Sequence, residues 1–344
     1  MADTSTLERF QGCLVGGAAG DALGYPVEFD SYESICDKFG PAGIRAYDID
    51  PWAGAALFSD DTQMTLFSAE GLLHAGPKAS DDEAAHAVYQ AYLDWLHTQD
   101  SSFDGNPGIA SLLAEQQLYA RRAPGGTCLS ALYSGDMGLM EHPLNDSKGC
   151  GGVMRVAPMG LFYADPQRAA HVAAMAAAIT HGHPMGYVPA AGLAYIVNQC
   201  VYGCPQSLAD VVEDCATQLD AWFSSKRWYA QDMASQLRHA AELSQNDASD
   251  HDNIVQLGEG WVGDEALAIA VYACLRHPDS LDEALIAAVN HGGDADSTGA
   301  IAGNIMGARL GIGAMAEKWT KRLELHDLIA DVANRLYDAG HIDS

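Results

Sequence analysis

Apolar residues recur at helical spacing along most of the chain. Five alanine-rich segments have apolar positions three and four residues apart, which is the periodicity of a helix with one face turned to a core. Alternation of β-branched residues, the pattern of a strand, is scarce. The sequence therefore predicts an all-α fold. The predicted helical segments are residues 81–97, 169–179, 189–201, 264–275 and 281–289.

Three glycines near the end of the chain, Gly299, Gly303 and Gly307, fall at intervals of four residues. On one helix they would form a single smooth face, which allows a second helix to approach closely. We therefore expect this helix to lie deep in the core. The most polar stretch, residues 244–253, predicts a surface loop between helices.

Neither an internal repeat nor a low-complexity linker divides the 344 residues. A chain of this length with 48% apolar residues can bury a sizeable core. We therefore expect one domain that spans residues 1–344.

The charge of the chain is strongly negative, with 18 Lys and Arg against 46 Asp and Glu and a net charge of -28. Such a surface repels nucleic acid and anionic membranes at long range, so both are disfavoured as partners. Residues 1–10 have no signal-peptide pattern, and Pro189, Asn198 and Gln199 interrupt the longest apolar stretch. We expect a cytoplasmic protein.

The eight cysteines are scattered along the chain, which suits reduced thiols better than a disulfide scaffold. Cys200 and Cys204 form the one close pair, but no second pair follows at the spacing of a zinc finger. A structural zinc site is therefore not predicted.

Two short acidic clusters, residues 59–62 and 294–298, each precede a helical pattern. N-capping is one interpretation, because Ser, Thr and Asp side chains accept hydrogen bonds from the first turn of a helix. Together, however, the clusters supply four carboxylates beside apolar or glycine-rich sequence, which indicates burial. Buried like charges need cations or protons to neutralise them, and Mg²⁺ or Mn²⁺ suits oxygen ligands better than zinc. The four are Asp60, Asp61, Asp294 and Asp296.

The second cluster also copies the opening of an EF-hand calcium loop. The closing glutamate of such a loop should stand at position 305, which is Ile305. We therefore reject a calcium loop.

Glycine-rich stretches at residues 12–24, 124–127 and 149–152 expose backbone N–H groups that can bind phosphate or sugar oxygens. Ordinary turns and close packing are the alternative. Arg155 either meets an anionic substrate or pairs with a structural carboxylate. His181 either donates a hydrogen bond in a site or is structural, because no acidic third ligand accompanies it and His183.

These motifs resemble the ADP-ribosylglycohydrolase family, which includes dinitrogenase reductase-activating glycohydrolase and the ADP-ribosylarginine hydrolases. The resemblance runs from about residue 10 to about residue 336. It implies a compact orthogonal bundle of many helices with a dinuclear metal site in a central cleft. The matching segments are residues 12–24, Glu28, residues 58–64, 122–127, 149–155, 180–181 and 292–299.

Carried over residue by residue, the resemblance implies two Mg²⁺ or Mn²⁺ ions, with Glu28 on the side of the scissile bond. It implies that glycine loops and His181 bind the diphosphate and riboses, and it leaves Tyr187 or Tyr195 as candidates to stack on adenine. The implied metal ligands are Ser59, Asp60, Asp61, Asp294, Asp296 and Ser297. The candidate catalytic residues are Glu28, Asp60, Asp61 and Asp296. The candidate substrate-binding residues are Gly125, Gly126, Thr127, Gly149, Gly151, Gly152, Arg155 and His181.

The expected function is hydrolysis of the glycosidic bond between ADP-ribose and a modified acceptor, with ADP-ribosylated arginine on protein as substrate and ADP-ribose as product. Serine, a nucleic-acid base and O-acetyl-ADP-ribose are alternative linkages. A dinuclear phosphoesterase and a non-catalytic ADP-ribose-binding module are alternative functions, and the nature of the released product distinguishes them.

Overall fold

The computed structural model describes residues 5–105, 108–203 and 207–341. In these ranges the chain forms sixteen α-helices, and its only β structure is a pair of isolated bridges. The prediction of an all-α fold is confirmed. The helices are α1 (Thr6–Gly24), α2 (Tyr32–Phe39), α3 (Asp60–Ala75), α4 (Asp81–Asp100), α5 (Gly126–Tyr133), α6 (Ala157–Phe162), α7 (Pro166–Ala178), α8 (Pro184–Tyr202), α9 (Leu208–Trp222), α10 (Arg227–Leu243), α11 (Asp250–Ile254), α12 (Gly263–Arg276), α13 (Leu281–Val289), α14 (Ala295–Leu310), α15 (Glu317–Thr320) and α16 (His326–Gly340).

Helices α1 and α14 form a glycine-lined antiparallel pair in the core. A Cβ atom added to Gly303 would lie 1.9 Å from the carbonyl oxygen of Gly16, so a larger residue would clash with backbone. The smooth face predicted for α14 is confirmed, and α1 carries the complementary face. The facing residues are Gly12 with Gly307, Gly16 with Gly303, Gly20 with Gly299, and Gly24 with Ala295.

This antiparallel arrangement sets the position of the site. The last turn of α1 lies against the first turn of α14, as the contact between Gly24 and Ala295 demonstrates. Asp21 in α1 and Asp296 in α14 are consequently near neighbours, and the charge of Asp296 acts on Asp21. Ile305 lies within the continuous helix α14, in agreement with the rejection of a calcium loop.

Four of the five predicted helical segments differ from the observed helices at one or both ends, and the start of α8 differs most. Helix α8 begins at Pro184 rather than at Pro189, because proline suits the first position of a helix and His183 caps the free N–H of Met185 at 3.0 Å. The segment 244–253 is not only a surface loop, because Asn253 is buried and its amide donates to the Tyr272 hydroxyl at 3.0 Å.

Within the described ranges, no helix combines the length and the hydropathy that a membrane span requires. Cys200 is buried and carries a free thiol, whereas Cys204 lies outside the described residues.

Candidate active site

The two acidic clusters begin helices, as the N-capping interpretation predicted. The Ser59 hydroxyl accepts a hydrogen bond from the Asp61 N–H at 3.1 Å, at the start of α3. A carboxylate oxygen of Asp294 accepts from the Ser297 N–H at 3.3 Å, at the start of α14. Capping alone does not explain these residues, because all four cluster carboxylates are buried, with each residue only 3–4% exposed.

The two helix starts meet in one site. Burial and then the charge of Asp296 raise the pKa of Asp60, Asp61 and Asp294 well above the ordinary value. Burial raises the pKa of Asp296 as well, and the Ser59 side chain opposes this rise, so the first cluster lies beside the second. The structure therefore brings together the carboxylates that the sequence selected as a group.

Glu28 joins the same group from a third segment of the chain. It follows the single 3₁₀ turn Tyr25–Val27, which continues α1, and its side chain is buried. Burial, followed by the charges of Asp296 and Asp294, raises the pKa of Glu28 to about 10. Its Oε2 atom and Oδ2 of Asp61 are both buried without a hydrogen-bond partner.

Asp21 also belongs to the site, although the sequence analysis did not select it. Its Oδ1 accepts the Ser59 N–H at 2.8 Å, and its Oδ2 accepts the Thr62 N–H at 2.9 Å and the Thr62 hydroxyl at 2.5 Å. Burial and the charge of Asp296 raise the pKa of Asp21 to about 7. Asp21 thus fixes the turn that carries the first acidic cluster.

A signal for Asp21 was present in the sequence. It is the only charged residue between Arg9 and Glu28, in a stretch that is otherwise mostly apolar and glycine-rich. A lone carboxylate in a segment predicted to be buried needs a specific set of donors.

Arg122 supports the same turn from outside. Its carbonyl oxygen accepts the Asp60 N–H at 2.9 Å, and its guanidinium donates to the Phe58 carbonyl at 3.2 Å. Both terminal nitrogens also pair with the Glu324 carboxylate at 3.1 Å. The backbone on either side of Ser59 is therefore held by side chains from distant segments.

The glycine loop at residues 124–127 reaches the acidic cluster. The Gly125 N–H donates to Oδ2 of Asp60 at 3.3 Å, while Gly125 and Gly126 are exposed at the surface. The Thr127 hydroxyl lies 3.2 Å from the Ser147 hydroxyl, in the next loop along the chain. Gly125 therefore contacts the cluster directly, whereas Gly126 and Thr127 follow it in the chain.

The loop at residues 149–152 lies on another side of the same cluster. The Cys150 thiol donates to Oδ2 of Asp294 at 2.6 Å. A Cβ atom on Gly151 would lie 2.9 Å from the His181 ring, and one on Gly149 would lie 3.3 Å from Nε2 of His181. Glycine at these two positions therefore leaves room for the imidazole.

His181 is held in a neutral form behind this loop. Burial, followed by the charge of Arg155, lowers its pKa to about 3. The Thr180 hydroxyl accepts from Arg155 at 2.6 Å and contacts Nδ1 of His181 at 2.8 Å. A hydroxyl that accepts from Arg155 can give its own proton to Nδ1, which leaves the His181 proton on Nε2, beside the glycines.

Arg155 itself is fully buried, and its guanidinium lies 4.3 Å from the centre of the Tyr92 ring. This position fits the structural alternative for Arg155, with Thr180 as partner in place of a carboxylate. Gly152 is also packed inside, because a Cβ atom there would lie 2.3 Å from the Gly186 carbonyl oxygen.

The two tyrosines considered for adenine stacking do not offer a free ring. Tyr187 packs against Phe223, and Tyr195 packs against Trp222, with both tyrosines buried along α8. A stacking role for either residue is contradicted by this burial.

The oxygen-rich cluster suits a hard divalent cation. In the part of the chain that the structure describes, no three Asp, Glu, His or Cys side chains already surround a common point as metal ligands. The chemistry nevertheless fits, since the donors are carboxylate and hydroxyl oxygens and the unpartnered oxygens of Glu28 and Asp61 lie among them. Divalent cations would also offset the buried like charges.

Comparisons with known proteins support the family resemblance that the sequence motifs indicated. A sequence model of the ADP-ribosylglycohydrolase family matches residues 2–343. ADP-ribosylhydrolase ARH3 of Mus musculus is 26% identical, over 96% of this chain and 92% of that protein. ADP-ribosyl-dinitrogen reductase glycohydrolase of Rhodospirillum rubrum is 24% identical, over 94% of this chain and 93% of that protein.

A solved structure described as an ADP-ribosylglycohydrolase-related protein complex has the same fold. Its TM-score is 0.66 at 24% identity, and the alignment covers 98% of this chain and 99% of that chain.

Proposed function

The chain belongs to the ADP-ribosylglycohydrolase family, and we propose that it hydrolyses the glycosidic bond between ADP-ribose and arginine on modified protein, releasing ADP-ribose. One observation carries the proposal. Carboxyl groups from three separate segments, represented by Glu28, Asp60 and Asp294, are buried together beside two glycine loops. A fold gains no stability from such a cluster alone, so a function in catalysis or ligand binding accounts for it.

We propose that the cluster binds two Mg²⁺ or Mn²⁺ ions. When bound, such ions supply Lewis acidity and offset the negative charge of their ligands. Glycosidic bond cleavage develops positive charge on the anomeric carbon, which the remaining carboxylate charge would stabilise. The residues that would hold the ions are Ser59, Asp60, Asp61, Asp294, Asp296 and Ser297.

Glu28 and Asp61 are our candidates for proton transfer. Glu28 has a raised pKa and an unpartnered buried oxygen, which suits a carboxyl that holds a proton and donates it to the leaving nitrogen. Asp61 has a second unpartnered oxygen, which suits acceptance of a proton from the attacking water. Asp60 and Asp296 would act electrostatically as well as through the ions.

The diphosphate would be bound without a basic side chain. Gly125 and Gly126 present exposed backbone, and neutral His181 presents a ring N–H beside Gly149 and Gly151. N–H groups of this kind bind phosphate oxygens even in an acidic protein. We propose that Arg155 acts indirectly, by holding Thr180 and thereby the orientation of His181.

The test is release of ADP-ribose from arginine-ADP-ribosylated protein with Mg²⁺ or Mn²⁺, with an EDTA control. We expect Asp60→Asn and Asp296→Asn to lower the rate at least about 100-fold, and the exposed control Asp331→Asn to leave it unchanged. Release of AMP would instead support a phosphoesterase. Binding of ADP-ribose with no turnover of any linkage would support a non-catalytic binding module.

A further inference from the structure

An exposed aromatic pair lies at the edge of the acidic cluster. The rings of Phe29 and Trp261 stack with their centroids 5.8 Å apart and an angle of 18° between their planes. Phe29 is 75% exposed and Trp261 is 38% exposed. We call these two residues the aromatic rim.

Both members of the aromatic rim are attached to residues of the site. Phe29 directly follows Glu28 in the sequence. The carbonyl oxygen of Trp261 accepts the Cys150 N–H at 3.2 Å, and the carbonyl oxygen of Glu259 accepts the Asp294 N–H at 2.8 Å. The rim therefore stands where the Glu28 segment and the loop beside Asp294 meet.

The rim adjoins a region of excess negative charge. Six buried carboxyl groups belong to the cluster and its support, and the chain as a whole has a net charge of -28. The negative electrostatic field of these groups, together with an aromatic face, favours the binding of a planar cation. The six groups are those of Asp21, Glu28, Asp60, Asp61, Asp294 and Asp296.

We propose that the aromatic rim binds the guanidinium group of the acceptor arginine and thereby selects this linkage. The inference rests on the proposed hydrolase function and adds to it the residues that read the acceptor. A guanidinium is planar, stays charged and stacks on aromatic faces, with carboxylates as its preferred partners. Phe29 provides the aromatic face directly after Glu28, on the side of the site where the acidic cluster supplies the negative charge.

A serine acceptor differs in the features that the rim would read. Its linkage has no charge and no planar group, so the rim would contribute little to its binding. Loss of one aromatic face should therefore change the choice between the two linkages and leave the binding of ADP-ribose itself intact.

The experiment compares two ADP-ribosylated peptides that differ only in the linkage, arginine in one and serine in the other. The variants are Phe29→Leu and Trp261→Leu, which keep an apolar side chain and remove the aromatic face. Trp228→Leu is the matched control, because Trp228 is exposed on α10. The readouts are kcat/KM for each peptide and the Kd of free ADP-ribose.

We expect each rim variant to lower kcat/KM for the arginine peptide about tenfold relative to the serine peptide, with an unchanged Kd for ADP-ribose. Trp228→Leu should alter neither ratio nor Kd. Equal effects on both peptides, or none, would overturn the inference. Wild-type activity on serine alone would overturn it and leave a hydrolase, whereas no activity on any linkage would overturn the proposed function itself.

Discussion

Asp21 connects the core helix α1 to the turn that starts α3. Its carboxylate accepts three hydrogen bonds, one from Ser59 and two from Thr62, while the residues between these two are the first pair of cluster carboxylates. A buried acceptor with three donors cannot be replaced without leaving a donor unpaired. Asp21 is therefore a positioning residue, and the orientation of Asp60 and Asp61 depends on it.

We predict that Asp21→Asn lowers kcat/KM for ADP-ribose release about 100-fold, because a small displacement of catalytic groups has an effect of that size. Replacing one carboxylate oxygen by an amide NH₂ removes the acceptor of either the Ser59 N–H or the two Thr62 donors. We also expect the Mg²⁺ concentration for half-maximal activity to rise, since the proposed ligands move with the turn.

Thr62→Ser is the matched control for this prediction, because it keeps the hydroxyl that donates to Asp21. It should retain activity within a few fold of the wild type. Wild-type kcat/KM and Mg²⁺ dependence in Asp21→Asn would show that the turn is held by other contacts, such as those of Arg122.

The sequence alone predicted the surroundings of some site residues but not of others. Asp60, Asp61, Asp294 and Asp296 were selected because four carboxylates beside apolar sequence imply burial, and they are buried together. Arg155 could not be placed, because a lone arginine after a glycine loop suits a ligand and a buried hydroxyl equally well. Its hydrogen bond to a residue 25 positions away along the chain depends on the tertiary fold.

At the scale of elements, the α1 and α14 pair decides where the site forms. The backbones approach so closely that each glycine faces a carbonyl oxygen of the other helix. Side chains of larger size would separate the two helices and with them Asp21 and Asp296. The glycine pattern thus serves both packing and the geometry of the acidic cluster.

We predict that Gly303→Ala lowers the free energy of unfolding by about 3 kcal/mol or more, since overpacking against rigid backbone cannot be relieved by rotating a side chain. Its Cβ atom would lie 1.9 Å from the Gly16 carbonyl oxygen. Urea unfolding followed by circular dichroism measures the effect.

Gly313→Ala is the control for this substitution, because no atom lies within 4 Å of a Cβ atom at that position. Its free energy of unfolding should stay within about 0.5 kcal/mol of the wild-type value. A similar, small change in both variants would mean that α1 and α14 can move apart at little energetic cost.

The sequence predicted the positions of individual helices better than it predicted which helices pack against each other. Helix α13 begins and ends at the predicted residues, because Ser280 caps a compact apolar repeat. Helix α11 was missed, because only five residues follow its cap Ser249 and no periodicity can be read in so short a segment. The partner of the glycine face was also not predicted, because α1 and α14 lie at opposite ends of the chain.

For the whole molecule, negative charge is the dominant electrostatic feature. The net charge is -28, and part of it is concentrated in a buried site whose carboxyl groups repel each other. This repulsion opposes the compact state, so a cation that binds the folded form should stabilise it. The size of that stabilisation depends on site-specific binding, which distinguishes it from general screening by salt.

We therefore predict that Mg²⁺ at about 100 times its Kd raises the free energy of unfolding by about 2.7 kcal/mol for each ion bound, with a corresponding rise in Tm. Sodium chloride at equal ionic strength should have a smaller effect, because it only screens exposed charges. Asp296→Asn should lose most of the Mg²⁺ response, whereas Asp331→Asn on the exposed face of α16 should keep it. Differential scanning calorimetry with and without EDTA makes this measurement independently of activity. An equal rise in Tm for the wild type and Asp296→Asn would place the bound cation elsewhere and contradict a metal site at the start of α14.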